Sequence, residues 1–265
     1  MATISLCMIV KNESAVLARC LDSIADLMDE IIIVDTGSTD NTKEIAAQYT
    51  SRIYDFKWTS DFSAARNFSF SKATMEYIYT ADADEILDDA NRERFLRLKD
   101  ALLPEIEIVQ MKYVTQGTFD TVLNAKKEYR PKLFRRLRTF TWIDPIHETV
   151  RLTPVTFDSD VEILHCPQSL HSKRDFSIFI KAFEHDGQFS PKIRTMYAKE
   201  LLKTGDKKDF TDAKPIFQLI FDNDPADDAR KEAACVLARI YRMEDNKNEF
   251  FKLTMKDMLT TPCAE

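Results

Sequence analysis

Tyr77-Ile78-Tyr79-Thr80-Ala81-Asp82-Ala83-Asp84-Glu85-Ile86 is an apolar, β-prone run that breaks abruptly into three carboxylates. Strands of open α/β sheets present ligand-binding groups at their carboxyl ends. A strand here carries Asp82 and Asp84 to such an edge. Alternate residues of an extended chain point the same way, so these two acids face one point and Glu85 faces the other side. Paired hard carboxylates suit Mg²⁺ or Mn²⁺ held jointly with substrate phosphates. Taken alone, the same residues read equally as a solvated acidic turn leading into the helix after Asp88-Asp89. The neighbouring segments decide between these readings.

Upstream, strand and helix alternate. Ile4-Ser5-Leu6-Cys7-Met8-Ile9-Val10 is a near-continuous apolar run, the signature of a strand covered on both faces. Asn12 is placed to cap the helix that follows, in which Val16, Leu17, Cys20, Leu21, Ile24 and Leu27 recur at helical spacing. A second strand, Glu30-Ile31-Ile32-Ile33-Val34-Asp35, runs into Thr36-Gly37-Ser38-Thr39-Asp40, where Gly37 permits a sharp turn and Thr39 or Asp40 caps a helix over 42–49. A short strand at 52–56 and a helix over 62–73 precede the acidic strand. This alternation predicts a parallel sheet with helices on both sides, and a nucleotide lying across the edge that bears Asp35 and Asp82.

Composition narrows the classes. The 265 residues fit one large domain or a domain with a smaller partner, and 44% hydrophobic residues suffice for a full core. A net charge of −7 disfavours a general polyanion binder. Cys7, Cys20, Cys166, Cys235 and Cys263 form no CxxC pair and read as reduced thiols of a cytoplasmic protein. No run is long enough to span a membrane, and no signal-peptide pattern opens the chain. With four glycines and neither GxGxxG nor GxxxxGK[ST], dinucleotide and P-loop chemistries are disfavoured. Cations and a metal must then carry a diphosphate. Arg66, in Asp61-Phe62-Ser63-Ala64-Ala65-Arg66-Asn67, has the fork for it, although alone it reads more readily as a surface helix charge.

Four blocks in order, Ile4 to Glu13, Ile33-Val34-Asp35-Thr36-Gly37-Ser38-Thr39-Asp40-Asn41-Thr42, Asp61 to Asn67, and Asp82-Ala83-Asp84-Glu85, together resemble family 2 glycosyltransferases of the GT-A fold. The resemblance covers about the first 165 residues. It implies a nucleotide-binding mixed sheet and inverting transfer from a nucleotide sugar, with a divalent metal, Mn²⁺ or Mg²⁺. It implies that Val10, Lys11, Asn12, Glu13 and Asp35 embrace base and ribose. Arg66 lies near the diphosphate, Asp82 with Ala83 faces ribose or metal, and Asp84 is the direct metal ligand. Where the family often carries two acids after the second strand, Asp35 is followed here by Thr36, a form that resembles the subset with helical-repeat tails.

Further on, residues 107–113 alternate as a strand, with a second at 118–123 beyond a turn at Gly117. Arg130, Lys132, Arg135 and Arg136 then cluster. They read either as a solvated edge strand or as a site for the leaving diphosphate or an anionic acceptor, and the resemblance favours a substrate-facing Arg130 or Arg135. In Trp142-Ile143-Asp144-Pro145-Ile146-His147-Glu148, the last two residues resemble a late His-Glu block of the family. It implies Glu148 as base or acceptor orienter and His147 as metal or phosphate contact. As consecutive residues of a regular strand they would face opposite ways, and alone they would more often be structural.

From about Arg174 the pattern is helical, with four apolar stripes around Phe176-Phe179-Phe183, Met196-Tyr197-Leu201, Ala213-Phe217-Ile220 and Ala233-Leu237-Ile240. The division expected is a catalytic domain over 1–170 and a tetratricopeptide-like domain over 171–265. The end shows no capping helix, so the tail is expected to pair with a second copy or to continue in a longer protein. With the nucleotide-sugar donor that the resemblance implies, expected to be a UDP-hexose, goes a peptide or protein acceptor, because helical-repeat surfaces engage polypeptides. A saccharide, a lipid-linked acceptor or a modified DNA base stands behind that, and a non-catalytic nucleotide-sugar-binding scaffold is the alternative class.

Overall fold

The computed structural model describes residues 1–115, 127–136, 142–143, 145–146, 148–150, 155–166 and 172–258. The chain divides into two compact units, Met1–Ser169 and Leu170–Glu265. The expected strand at 118–123 and the turn at Gly117 lie outside the described residues.

The first unit is an eight-stranded mixed sheet. β1 (Ile4–Val10) pairs in parallel with β2 (Glu30–Asp35) on one side and β4 (Tyr77–Thr80) on the other, and β2 pairs in parallel with β3 (Ile53–Asp55). Beyond β4 the directions mix. β7 (Lys127–Arg135) runs antiparallel to both β4 and β6 (Ile108–Thr115). β10 (Thr156–His165) is parallel to β6, and β5 (Glu85–Ile86) closes the sheet antiparallel to β10. β8 (Trp142–Ile143) and β9 (Thr149–Val150) form a separate two-stranded ribbon.

The continuous apolar runs are explained by burial on both sides. Leu6, Met8, Ile33, Tyr77 and Tyr79 join the large core under α1 (Leu17–Ile24) and α4 (Asp89–Ala101). Cys7, Ile32, Val34 and Ile78 face the opposite layer, where Phe68 and Phe70 of α3 (Phe62–Phe70) pack. Asp61 and Asp88 cap α3 and α4 by accepting from the Ala64 and Asn91 amides. α2 (Thr42–Ala46) is shorter than its sequence pattern, and Asp40 accepts from the Thr42 amide at its start.

Asn12 does not cap α1, which starts five residues later without a side-chain cap. Its backbone is left-handed, with φ of 56°, a conformation asparagine tolerates. Its Oδ1 accepts from the Thr39 amide at 2.7 Å, and its own amide donates to Ser38 Oγ at 2.9 Å. Asn12 therefore laces the loop after β1 to the loop after β2.

The second unit holds α5 (Ser172–Asp186), α6 (Pro191–Thr204), α7 (Lys207–Asn223), α8 (Asp227–Met243) and α9 (Lys247–Met258). Each packs on its successor or next-but-one neighbour: α5 on α6 and α7, α6 on α8, α7 on α8, α8 on α9. That is the contact order of stacked helical hairpins. Tyr197 is its aromatic centre, stacked on Phe179 at 4.7 Å between centroids and tilted against Phe217 at 5.3 Å. At Gly205 a Cβ would meet the Leu201 carbonyl oxygen at 2.6 Å, which accounts for glycine at the turn into α7. The fifth helix, α9, was not foreseen among the four stripes. Among the described residues no helix is long and apolar enough to cross a membrane.

Candidate active site

Sheet polarity sets which residues can meet. The carboxyl ends of β1, β2, β3, β4, β6 and β10 share one edge with the amino end of β7. At that edge Asp82 is exposed, Ala83 buried, Asp84 half-buried and Glu85 buried, in a turn rather than the extended chain expected, closed by the Glu85 amide donating to the Asp82 carbonyl at 3.1 Å.

Asp84 Oδ2 lies 3.0 Å from His165 Nε2, and the Asp84 carbonyl accepts from the Cys166 amide. Antiparallel pairing of β5 with β10 sets His165 opposite Glu85 and so beside Asp84. His165 Nδ1 is buried without a hydrogen-bond partner. Carboxylate and imidazole donors fit Mn²⁺ or Mg²⁺, with phosphate oxygens and water filling the remaining positions. Among the described residues no three His, Cys, Asp or Glu side chains form a metal cluster by themselves. The sequence reading missed His165. Its only signal was an imidazole closing an apolar strand, Val161-Glu162-Ile163-Leu164-His165.

Behind the acidic turn, Lys132 Nζ sits 2.5 Å from Glu85 Oε1, with the two residues 6% and 2% exposed. Burial pushes the Glu85 carboxyl up to about 7, opposed by Lys132. Asp82 keeps surface open to solvent, yet the protein crowding its carboxyl acts to raise it; Lys132, Arg66, Arg130 and His165 outweigh that and hold Asp82 below the usual carboxylate range. Removing one partner of a buried pair strands the other, at a cost of about 3–5 kcal/mol. Lys132→Met is therefore expected to destabilise the first unit by that order in urea unfolding. The double variant Lys132→Met/Glu85→Leu is expected to recover most of the loss. Equal losses in both would show that Lys132 acts through something other than Glu85.

Arg66 projects from α3 to Glu148, donating from Nη2 at 2.5 Å and Nε at 2.8 Å, both to Oε1. Burial opposes the guanidinium charge, but Glu148 and Asp82 more than compensate and raise the Arg66 pKa. Arg66 also lies 5.0 Å over the Trp142 ring. The segment bearing Glu148 is stitched to α3 by two bonds between Asn67 and the Trp142 backbone, and by Phe62 N–H to the Pro145 carbonyl at 2.8 Å. His147, expected as metal or phosphate contact, and Asp144 lie outside the described residues.

Asp35 is 1% exposed. Its Oδ1 accepts from the Gly37 and Ser38 amides, each at 2.9 Å, and its Oδ2 is a buried acceptor without a partner. Gly37 has φ of 101°, which a side chain would strain. Thr36, at the position of the missing second acid, donates its hydroxyl to the Val10 carbonyl at 3.2 Å. Lys11 is exposed at the same edge, and the Glu13 amide donates to Thr42 Oγ1.

Arg135 is not with these groups. It pairs in register with Tyr77, at the start of β4, and donates to the Pro104 carbonyl at the far end of the sheet. β7 runs opposite to β4, so the cations that reach the acidic edge are Arg130 and Lys132.

A sequence model of glycosyl transferase family 2 matches residues 5–153. Over 132 residues, 48% of this chain and 31% of the relative, the sequence is 33% identical to the SPbeta prophage-derived glycosyltransferase SunS of Bacillus subtilis. Over 87 residues, 33% of this chain and 22% of the relative, it is 48% identical to a TPR repeat-containing protein of Synechococcus elongatus. A lipopolysaccharide core biosynthesis glycosyltransferase, LpsC of Rhizobium meliloti, is 31% identical over 36% of this chain and 33% of its own length. The chain thus spans a third or less of each of these relatives. Among solved structures, glucosyl-3-phosphoglycerate synthase from Mycobacterium tuberculosis, in complex with Mn²⁺, UDP-glucose and phosphoglyceric acid, superposes with a TM-score of 0.51 at 18% identity, over 72% of this chain and 82% of that one. The likeness to that structure is one of fold, and with more than half of the residues inside the family match the chain belongs to glycosyl transferase family 2.

Proposed function

We propose that this chain is a metal-dependent, inverting glycosyltransferase that moves a hexose from a UDP-sugar to a peptide or protein acceptor. The reading is carried by the convergence of Asp82, Asp84 and His165 with Arg66, Arg130 and Lys132 at one sheet edge. Asp84 and His165 would hold the divalent ion, with Asp82 facing ion or ribose. When bound, the ion supplies charge neutralisation for the departing diphosphate. The planar fork of Arg66 is matched to phosphate oxygens, and Arg130 and Lys132 add positive potential on the same side. Asp35 Oδ2 offers an acceptor to a base or ribose donor. Glu148 is the general base. Its Oε1 is taken by Arg66, so Oε2 is the atom that would receive the acceptor proton. Inversion requires the acceptor hydroxyl to attack the anomeric carbon from the face away from the leaving phosphate, with its proton passing to the base. The division into a catalytic domain, 1–170, and an acceptor-presenting helical domain, 171–265, belongs to the same reading.

The peptide acceptor rests on the stacked helices of the second unit, an architecture that engages extended polypeptides. A saccharide acceptor is the second reading, favoured by the relative named for lipopolysaccharide core biosynthesis.

The test is a thermal-shift panel of UDP- and GDP-sugars with and without Mn²⁺, followed by transfer assays with peptide and saccharide acceptors. A UDP-hexose is expected to raise the melting temperature only with Mn²⁺; at 100 times its Kd a ligand adds about 2.7 kcal/mol. A shift without transfer to any acceptor would overturn the enzyme reading in favour of the nucleotide-sugar-binding scaffold, and no shift with any sugar nucleotide would overturn both.

A further inference from the structure

His165 is held in an unusual way for a metal-ligating imidazole. Such a ring commonly donates its second nitrogen to a carboxylate or a backbone carbonyl, which fixes its plane. Here Nδ1 is buried and has no partner, so among the described residues the ring is bonded at Nε2, to Asp84, and no second hydrogen bond fixes its plane. Aromatic packing takes its place. The Tyr113 ring lies 5.0 Å from the His165 ring between centroids, at an interplanar angle of 32°.

Strand order explains the contact. β6, which carries Tyr113, lies between β7 and β10. In register Tyr113 opposes Ile163 of β10 and Glu128 of β7, so His165 and Arg130 are its diagonal neighbours, one from each flanking strand. Diagonal neighbours are within reach of aromatic and long side chains. Arg130 uses that reach: its Cζ sits 3.8 Å from the centre of the Tyr113 ring, and its Nε and Nη2 are held by Glu128 Oε1, both at 2.5 Å. Lys132 Nζ lies 5.5 Å from the same ring. Tyr113 itself is 2% exposed and cannot swing away. The chain Glu128, Arg130, Tyr113, His165, Asp84 therefore crosses four strands or turns without a gap.

We propose that Tyr113, clamped by Arg130, is a positioning residue that fixes the imidazole plane of His165 and so directs Nε2 towards Asp84 and the metal. The inference rests on the metal reading above. It assigns to ring packing the orienting role that a hydrogen bond usually fills. It also predicts that the aromatic ring, not the phenol hydroxyl, is what matters at position 113.

The experiment is Mn²⁺ titration of the full chain, alone and with UDP, followed by electron paramagnetic resonance, together with the melting temperature of each metal-free variant. Tyr113→Phe is expected to bind Mn²⁺ within about twofold of the wild type. Tyr113→Leu is expected to bind at least about tenfold more weakly, the scale of losing an outer-shell partner. Arg130→Gln changes a half-exposed side chain and keeps the fold, and it is expected to weaken Mn²⁺ binding measured without nucleotide. His165→Ala sets the full loss. Wild-type affinity in both Tyr113→Leu and Arg130→Gln overturns the positioning role while leaving the metal reading intact. Should Tyr113→Leu fail to fold, an unchanged Arg130→Gln alone overturns it. A wild-type chain without measurable Mn²⁺ affinity, or a His165→Ala variant that binds normally, overturns both.

Discussion

Glu148→Gln is expected to lower sugar transfer by about 10²–10⁴-fold while leaving donor affinity unchanged or slightly improved. The direction of the second effect comes from the ion pair. Glu148 Oε1 accepts from both Nη2 and Nε of the Arg66 fork, at 2.5 and 2.8 Å, and each side chain is largely buried. A donor diphosphate must compete with that carboxylate for the same guanidinium. Glutamine keeps the volume and one acceptor but removes the charge, so Arg66 becomes easier to recruit. Rapid-mix turnover and calorimetric donor binding, measured on the same variant, separate the roles. Parallel losses in both would mark Glu148 as the residue that aims Arg66, because an interaction made in ground and transition states alike does not lower turnover alone. Arg66→Lys refines the comparison. Lysine retains the charge but not the planar fork, so donor affinity is expected to fall.

Local chemistry was legible wherever sequence neighbours are also spatial neighbours. The runs that became β1, β2 and β4 are buried on both faces, so their continuous hydrophobicity could be read directly. Asp61 and Asp88 precede helical patterns and do cap them. The acids after β4 sit in a turn closed by the Glu85 amide on the Asp82 carbonyl, not on the extended strand expected. What failed depended on strand direction and long-range pairing. The cations from Arg130 to Arg136 form one cluster in sequence, but a strand separates its two ends. Only the antiparallel run of β7 against β4 shows that Arg130 and Lys132 reach the acidic edge and Arg135 does not. β10 escaped because Asp158 and Asp160 give its first half a polar look and an irregularity between Asp158 and Glu162 breaks the period. His165 was lost with it, 81 residues from the aspartate it meets. Asn12 has the residue type of a cap, yet its side chain satisfies a neighbouring loop, and sequence spacing carries no information about that choice.

Asp84→Asn is expected to weaken Mn²⁺ binding by more than about 100-fold, beyond the 10–100-fold typical of losing an outer-shell partner, and to remove Mn²⁺-dependent donor binding with it. The argument is one of donor count. Asp84 and His165 are the pair brought together at the edge, with Asp82 close by, and no larger cluster exists among the described residues to absorb the loss. Asparagine preserves shape and can still accept from His165 Nε2, so β5 and β10 should keep their pairing. The fold should survive in the metal-free state, slightly stabilised by relief of repulsion from Asp82 and Glu85. Glu85 makes the control informative. It is adjacent in sequence and also a carboxylic acid, but its side chain points into the core to Lys132. Glu85→Gln should therefore change stability more than Mn²⁺ affinity, the reverse of Asp84→Asn. Calorimetry that found the two variants alike in metal binding would remove Asp84 from the ligand set. It would also return the acidic turn to its plainest reading, a solvated lead-in to α4.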